Sequence, residues 1–253
     1  MNLKNLLLRI SGIAAVIIFW EIISLFNLVP WIFLPPLEDV LSEFLKMILS
    51  GEIFVDAGYS LLRVGLGFII AAGIAIPLGV FVGWFPFAFR IFDALIEVTR
   101  PIPPLAWTGL ALLWFGIGLS SSVFLVFLGA FFPILLNTMA GVKGMERKLI
   151  EAAYLLGANE KQVLSKVVIP GSLPSMFTGI RIGMGVGWMV VVAAEMIAAR
   201  HGLGSLIIIS TNIGRTDRVL VGMIVIGILG LAIDYSLRRL SRRLFVWRAA
   251  RGE

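Results

Sequence analysis

Glu195 sits in the run Val192-Ala-Ala-Glu195-Met-Ile-Ala-Ala, close to one end of a long apolar stretch. A lone carboxylate at that depth in a bilayer is costly, so it must face a water-filled path or a cation. Arg200 offers a cation at i+5, an imperfect helical spacing, and a purely structural ion pair therefore stays open beside a role on a solute path. Arg181, Trp188 and Glu195 recur every seven residues, whereas Gly179, Gly183 and Gly187 recur every four and form a face on which another helix can pack. Glu21, deep in the first apolar run, reads as a counter-ion for a path arginine or as a structural charge. Arg100, in Arg100-Pro-Ile-Pro-Pro-Leu-Ala-Trp107, either attracts an anion at the inner mouth of a path or marks the basic side of the membrane. Asp234 precedes Arg238 at the spacing of a local helical ion pair. Trp107, Trp114, Trp188 and Trp247 suit interface anchoring as well as solute contact.

Such groups steer an ion or polar solute; they do not break bonds. The chain has no cysteine and one histidine, His201, which removes Cys-ligated metal centres and His-based triads. It also lacks the pattern G-x-x-x-x-G-K-[ST]. Energy for uphill transport has to come from a partner or from an ion gradient.

A partner has an obvious place to act. Between two apolar spans lies a polar stretch, 143–174, in which Leu149, Ala152, Ala153, Leu156, Val163 and Val167 recur at helical spacing with charges on the other side. Gly157 lets the chain bend, and Pro170, Gly171 and Pro174 are expected to end the second helix before the next span. A short helix, a turn and another helix outside the lipid are predicted.

The elements that must hold these groups are membrane helices. Hydrophobic residues make up 59% of the 253, charged residues 14%, and mean hydropathy is +1.02, so the bilayer is the solvent. A net charge of +6 is then explained by basic loops on the cytoplasmic side, and nucleic acid is not an expected partner. Six spans are predicted, at 9–29, 63–84, 104–117, 121–142, 176–199 and 219–240. The first is read as a retained span, because Trp20 and Glu21 interrupt a signal-peptide core. The third is short enough to be broken or tilted, and Pro77 should kink the second. Residues 37–50 form an amphipathic helix on the outer surface, Phe85 to Pro104 return to the inner side with extended backbone at the prolines, and 200–218 could dip into the membrane. Lys4 and Arg9 at one end, and Arg238, Arg239, Arg242, Arg243, Arg248 and Arg251 at the other, place both termini in the cytoplasm. This is an all-α integral membrane protein of one domain.

The polar stretch spells Glu151-Ala152-Ala153, three residues, Gly157, nine residues, Val167-Val168-Ile169-Pro170. It resembles the EAA loop of binding-protein-dependent ABC importer permeases, E-A-A, three residues, G, nine residues, I-x-L-P, with Val167 and Ile169 as conservative departures. Arg100-Pro-Ile-Pro-Pro-Leu-Ala-Trp107, Trp114-Phe-Gly-Ile-Gly, Gly185-Val-Gly-Trp188, the Glu195 run and Gly202-Leu-Gly204 are similar to the nitrate, sulfonate, taurine and bicarbonate subfamily. Pro103 is closest to taurine and alkanesulfonate members.

The resemblance implies a type I importer permease fold, a homodimer in the cell membrane, two ATP-binding subunits on the cytoplasmic face and an extracytoplasmic substrate-binding protein delivering a small anion. ATP and Mg would be held by the partners, with no cofactor or metal in this chain. Glu151 would bind the ATPase surface, Ala152 and Ala153 would let the helix seat closely, Gly157 would form the bend and Pro170 would close the motif. Glu195, Trp188, Arg181, Arg100, Trp107 and Glu21 are the candidates for the path. An ion-coupled secondary transporter or channel is the alternative, and it would ordinarily show an internal repeat.

Overall fold

The computed structural model describes residues 3–26 and 28–244, and every regular element among them is helical. Trp247, Arg248 and Arg251 lie outside the described residues. In chain order the helices are α1 (Leu3–Leu25), α2 (Leu37–Leu49), α3 (Glu52–Trp84), α4 (Pro86–Thr99), α5 (Thr108–Phe115), α6 (Leu119–Lys143), α7 (Arg147–Leu155), α8 (Glu160–Val163), α9 (Ile169–Ala198), α10 (Leu203–Asn212) and α11 (Thr216–Leu244). Among the described residues four helices are long and apolar enough to cross a bilayer: Glu52–Trp84, Leu119–Lys143, Glu160–Ala198 and Thr216–Leu244.

Small residues set the centre of the bundle. A methyl group added at Gly67 would lie 2.7 Å from Val126, one at Gly79 2.7 Å from Thr138, and one at Gly83 2.9 Å from Val142. Backbones of α3 and α6 therefore touch, and because the paired numbers rise together the two helices run parallel. Gly179 presses in the same way on Asn137, Gly183 on Ala130 and Ile134, and Gly187 on Val126. Here one number rises as the other falls, so α9 is antiparallel to α6. Arg181 meets Asp234 and Gly230 meets the Trp188 ring, which makes α11 antiparallel to α9.

Parallel α3 and α6 impose a return. Residues 85–118 must carry the chain back along the full length of the bundle, and they do so as α4, a 3-10 turn at Pro104–Trp107 and α5. The expected inner loop at Phe85 to Pro104 is thus replaced by a helix. Pro86 starts it with a preset φ, and Ala88 and Ile96 are buried against α3 and α6. Helix α4 starts at Pro86, well before the span expected from 104, and the helical path breaks at 100–103, where Pro101 and Pro103 cannot donate to a helical ladder. Extended backbone does not reach Pro104, which opens the 3-10 turn.

Two other boundaries differ from the sequence reading. Helix α3 begins at Glu52 and not at 63, with Asp56, Ser60 and Arg63 buried in its first three turns. Pro170 and Pro174 do not end the second loop helix: α8 runs through a π-helical turn, Leu164–Val168, directly into α9. The wider π ladder immediately before Pro170 accommodates its missing N–H, whereas Pro174 lies within α9 itself.

The end of the bundle remote from α7 and α8 is held by charge. Helix α2 buries Val40, Glu43 and Met47, and leaves Leu41 and Leu45 exposed. Glu43 pairs with Arg215 at 2.9 Å and Arg218 at 3.6 Å, and Glu52 pairs with Arg218. Arg215 also pairs with Asp217, whose hydrogen bond raises the guanidinium pKa above its ordinary value. Glu43 and Glu52 are therefore answered by the arginines that precede and open α11.

Candidate coupling loop and solute path

At the opposite end, α7 stops where Gly157 takes φ +82°, and its N–H donates to the Tyr154 carbonyl while that of Ala158 donates to Ala153. Asn159 then starts α8 by a capping box, its side chain accepting from the Gln162 N–H and the Gln162 side chain accepting from the Asn159 N–H. Inward, Ile150, Ala153, Ala158 and Val163 pack on Val142, Val168, Met176 and Trp84, and the Trp84 indole donates to Glu160 at 3.2 Å. Outward, Glu151, Ala152 and Tyr154 are exposed, and Leu155 and Leu156 are each 89% exposed. Of the Ala152 and Ala153 pair, only Ala152 faces out. The elbow is fixed on its own bundle and bare on the other side.

Glu195 is wholly buried and does meet a cation, but the cation is Arg63 of α3 and not Arg200. Arg63 Nη1 lies 2.6 Å from Glu195 Oε1 and also donates to the His201 carbonyl at 2.6 Å. Glu195 Oε2 accepts from Ser60 Oγ at 2.8 Å and from the Gly204 N–H at 3.0 Å. Ser60 Oγ in turn accepts from the Leu203 N–H, and Asp56 from that of Gly202. A side chain at Gly204 would run into the Val192 carbonyl, and Gly202 has φ +127°. The glycines are there so that the start of α10 can seat on this carboxylate.

The other candidates are not gathered in one place. Trp188 is buried between α9 and α11, where its indole donates to the Ile226 carbonyl at 3.3 Å. Arg181 is exposed, bonded to Asp234 at 2.8 Å, and Asp234 also pairs with Arg238 at 2.7 Å. Glu21 accepts the Leu37 N–H at 3.3 Å, at the first residue of α2, beside a Trp20 indole that donates to the Pro35 carbonyl. Arg100 and Trp107 do come together. They line a cavity of about 590 Å³ between the α4–α5 break, α6 and α9, with Thr99, Asn137, Ile182 and Val186.

Residues 75–246 match the family described as the binding-protein-dependent transport system inner membrane component. The chain belongs to that family. It is 45% identical over 252 residues to an ABC transporter permease protein of Methanocaldococcus jannaschii, covering 98% of this chain and 94% of the relative. It is 40% identical over 250 residues to the taurine transport system permease protein TauC of Escherichia coli, covering 96% and 90%. Permeases for aliphatic sulfonates and for nitrate are also among its relatives. The solved MetNI methionine ABC transporter, inward facing, shares the fold at a TM-score of 0.67 and 20% identity, over 77% of this chain and 97% of that one. This is an ABC importer permease, embedded in a membrane.

Asp56, Ser60 and Arg63 of the permease were not found by sequence reasoning. Their signal was present, since 56, 60, 63 and 67 fall on one helical face that ends on the packed glycine Gly67. An arginine at the edge of an apolar run reads as a boundary until its carboxylate is known.

Proposed function

We propose that the chain forms the translocation path for a small anion, of the taurine, alkanesulfonate or nitrate-like class, in an importer driven by ATP hydrolysis on other subunits. The names of its relatives support the substrate class, and a rival ion-coupled transporter or channel is not favoured by its family. In this reading α1, α3, α4 with α5, α6, α9 and α11 make six crossings, and both termini and the α7–α8 elbow are cytoplasmic. Two copies of the chain pair across the path. Two ATP-binding subunits, which hold ATP and Mg, dock on the elbows, and a substrate-binding protein docks on the opposite face. The chain itself catalyses nothing.

The observation that carries the reading is the elbow: a Glu-Ala-Ala helix and a left-handed Gly157, anchored from within, with Leu155 and Leu156 bare. Apolar side chains that exposed, on a rigid polar loop, suit a partner's groove. Glu151 then contacts the ATPase, and Gly157 keeps the bend that a side chain would strain by about 1–2 kcal/mol. We expect Gly157→Asp and Glu151→Lys each to bring ATP-driven uptake to background while the permease still inserts. Uptake by both variants at the parent's rate refutes the reading.

A further inference from the structure

The return imposed by parallel α3 and α6 puts Arg100 about halfway along residues 86–115, and so near the middle of the bundle rather than at its inner mouth. The walls beside it agree: Phe127 to Asn137 come from the middle and inner half of α6, and Ile182 and Val186 from the centre of α9. Among the described residues Arg100, which is exposed, makes no ion pair or side-chain hydrogen bond, in contrast to the buried and paired Arg63 and Glu195. No aspartate or glutamate lines the cavity.

What lines it instead are donors on apolar walls. The Trp107 indole N–H is unbonded among the described residues, and Asn137 spends one amide hydrogen on the Pro133 carbonyl at 2.8 Å, leaving the other. An unpaired guanidinium amid phenylalanines attracts a planar or forked anion strongly and repels cations. From this we infer that the Arg100 cavity is an anion-binding station within the permease, at which Arg100 grips a sulfonate or nitrate-like group and Trp107 and Asn137 add donors. It rests on the importer reading, and it places part of the selectivity in this chain rather than all of it in a binding protein.

The test is uptake of labelled taurine, ethanesulfonate and nitrate by cells expressing the complete importer, normalised to permease that co-purifies with its ATP-binding subunit. Arg100→Gln should lower uptake of the anion that the parent carries by about tenfold or more, and Arg100→Lys by less. Asn137→Asp, which adds a carboxylate to the cavity at constant size, should lower it as Arg100→Gln does, and it decides the matter if Arg100→Gln does not assemble. Uptake per assembled complex within about twofold of the parent overturns the proposal. So does a parent that carries a cation or a neutral solute and none of these anions. Failure of the importer reading looks different, for then the parent itself moves the anion with no ATP-binding subunit present.

Discussion

Glu195 and Arg63 show how one contact decides the meaning of several residues. The pair is buried and tied by Ser60 and by the start of α10, and Arg63 Nε has no partner of its own. Removing one member leaves an uncompensated charge, whereas removing both leaves no charge but frees the Gly204 N–H, the Ser60 hydroxyl proton and the His201 carbonyl from their partners. Glu195→Ala is therefore expected to cost roughly 3–5 kcal/mol, and Glu195→Met with Arg63→Met less. Thermal unfolding in detergent checks this, and a double variant no more stable than the single ones contradicts it. The sequence reading gave Glu195 either a water-filled path or a cation to face, and singled out Gly202-Leu-Gly204 only as part of the family resemblance. It could not reveal that these are one site, because the linking cation lies more than a hundred residues earlier in the chain.

Among the elements, those set by local chemistry were legible and those set by distant packing were not. The α7–α8 elbow follows from Gly157 and from helical periodicity close to it, and the glycine stripe of α9 foretold a helix seam. Helix α4 was missed because Arg90, Asp93 and Glu97 dilute its hydropathy, although Phe87, Ile91, Leu95 and Val98 repeat at three- and four-residue spacing. Likewise Pro170 and Pro174 signal an end that does not occur: a π turn precedes Pro170, and Pro174 is held inside α9. The seam itself can be tried with two glycines of one helix. Gly183→Leu meets the Ala130 carbonyl and the Ile134 side chain and should sharply reduce the yield of folded permease, while Gly185→Leu, with nothing within 4 Å, should fold normally. Comparable yields of monodisperse protein from the two would argue against the α6–α9 packing.

Across the whole molecule, one continuous helix links the two ends. Glu160 to Ala198 spans 39 residues, about 58 Å at ~1.5 Å per residue, from the elbow to the Glu195 cluster that clasps α3 and α10. In the proposed reading a push on the elbow would travel to the far face of the bundle through α9, which is glycine-packed along α6, with the Arg100 cavity beside its middle. In that reading the fuel is spent on other subunits and the permease is driven from the elbow side. The most direct measurement is solute uptake into proteoliposomes holding the permease with its ATP-binding subunits and binding protein, with nucleotide supplied to the elbow side and ion gradients collapsed. Uptake is expected to require hydrolysable ATP and to survive loss of the gradients; uptake that follows an ion gradient in the absence of nucleotide would contradict an ATP-driven importer.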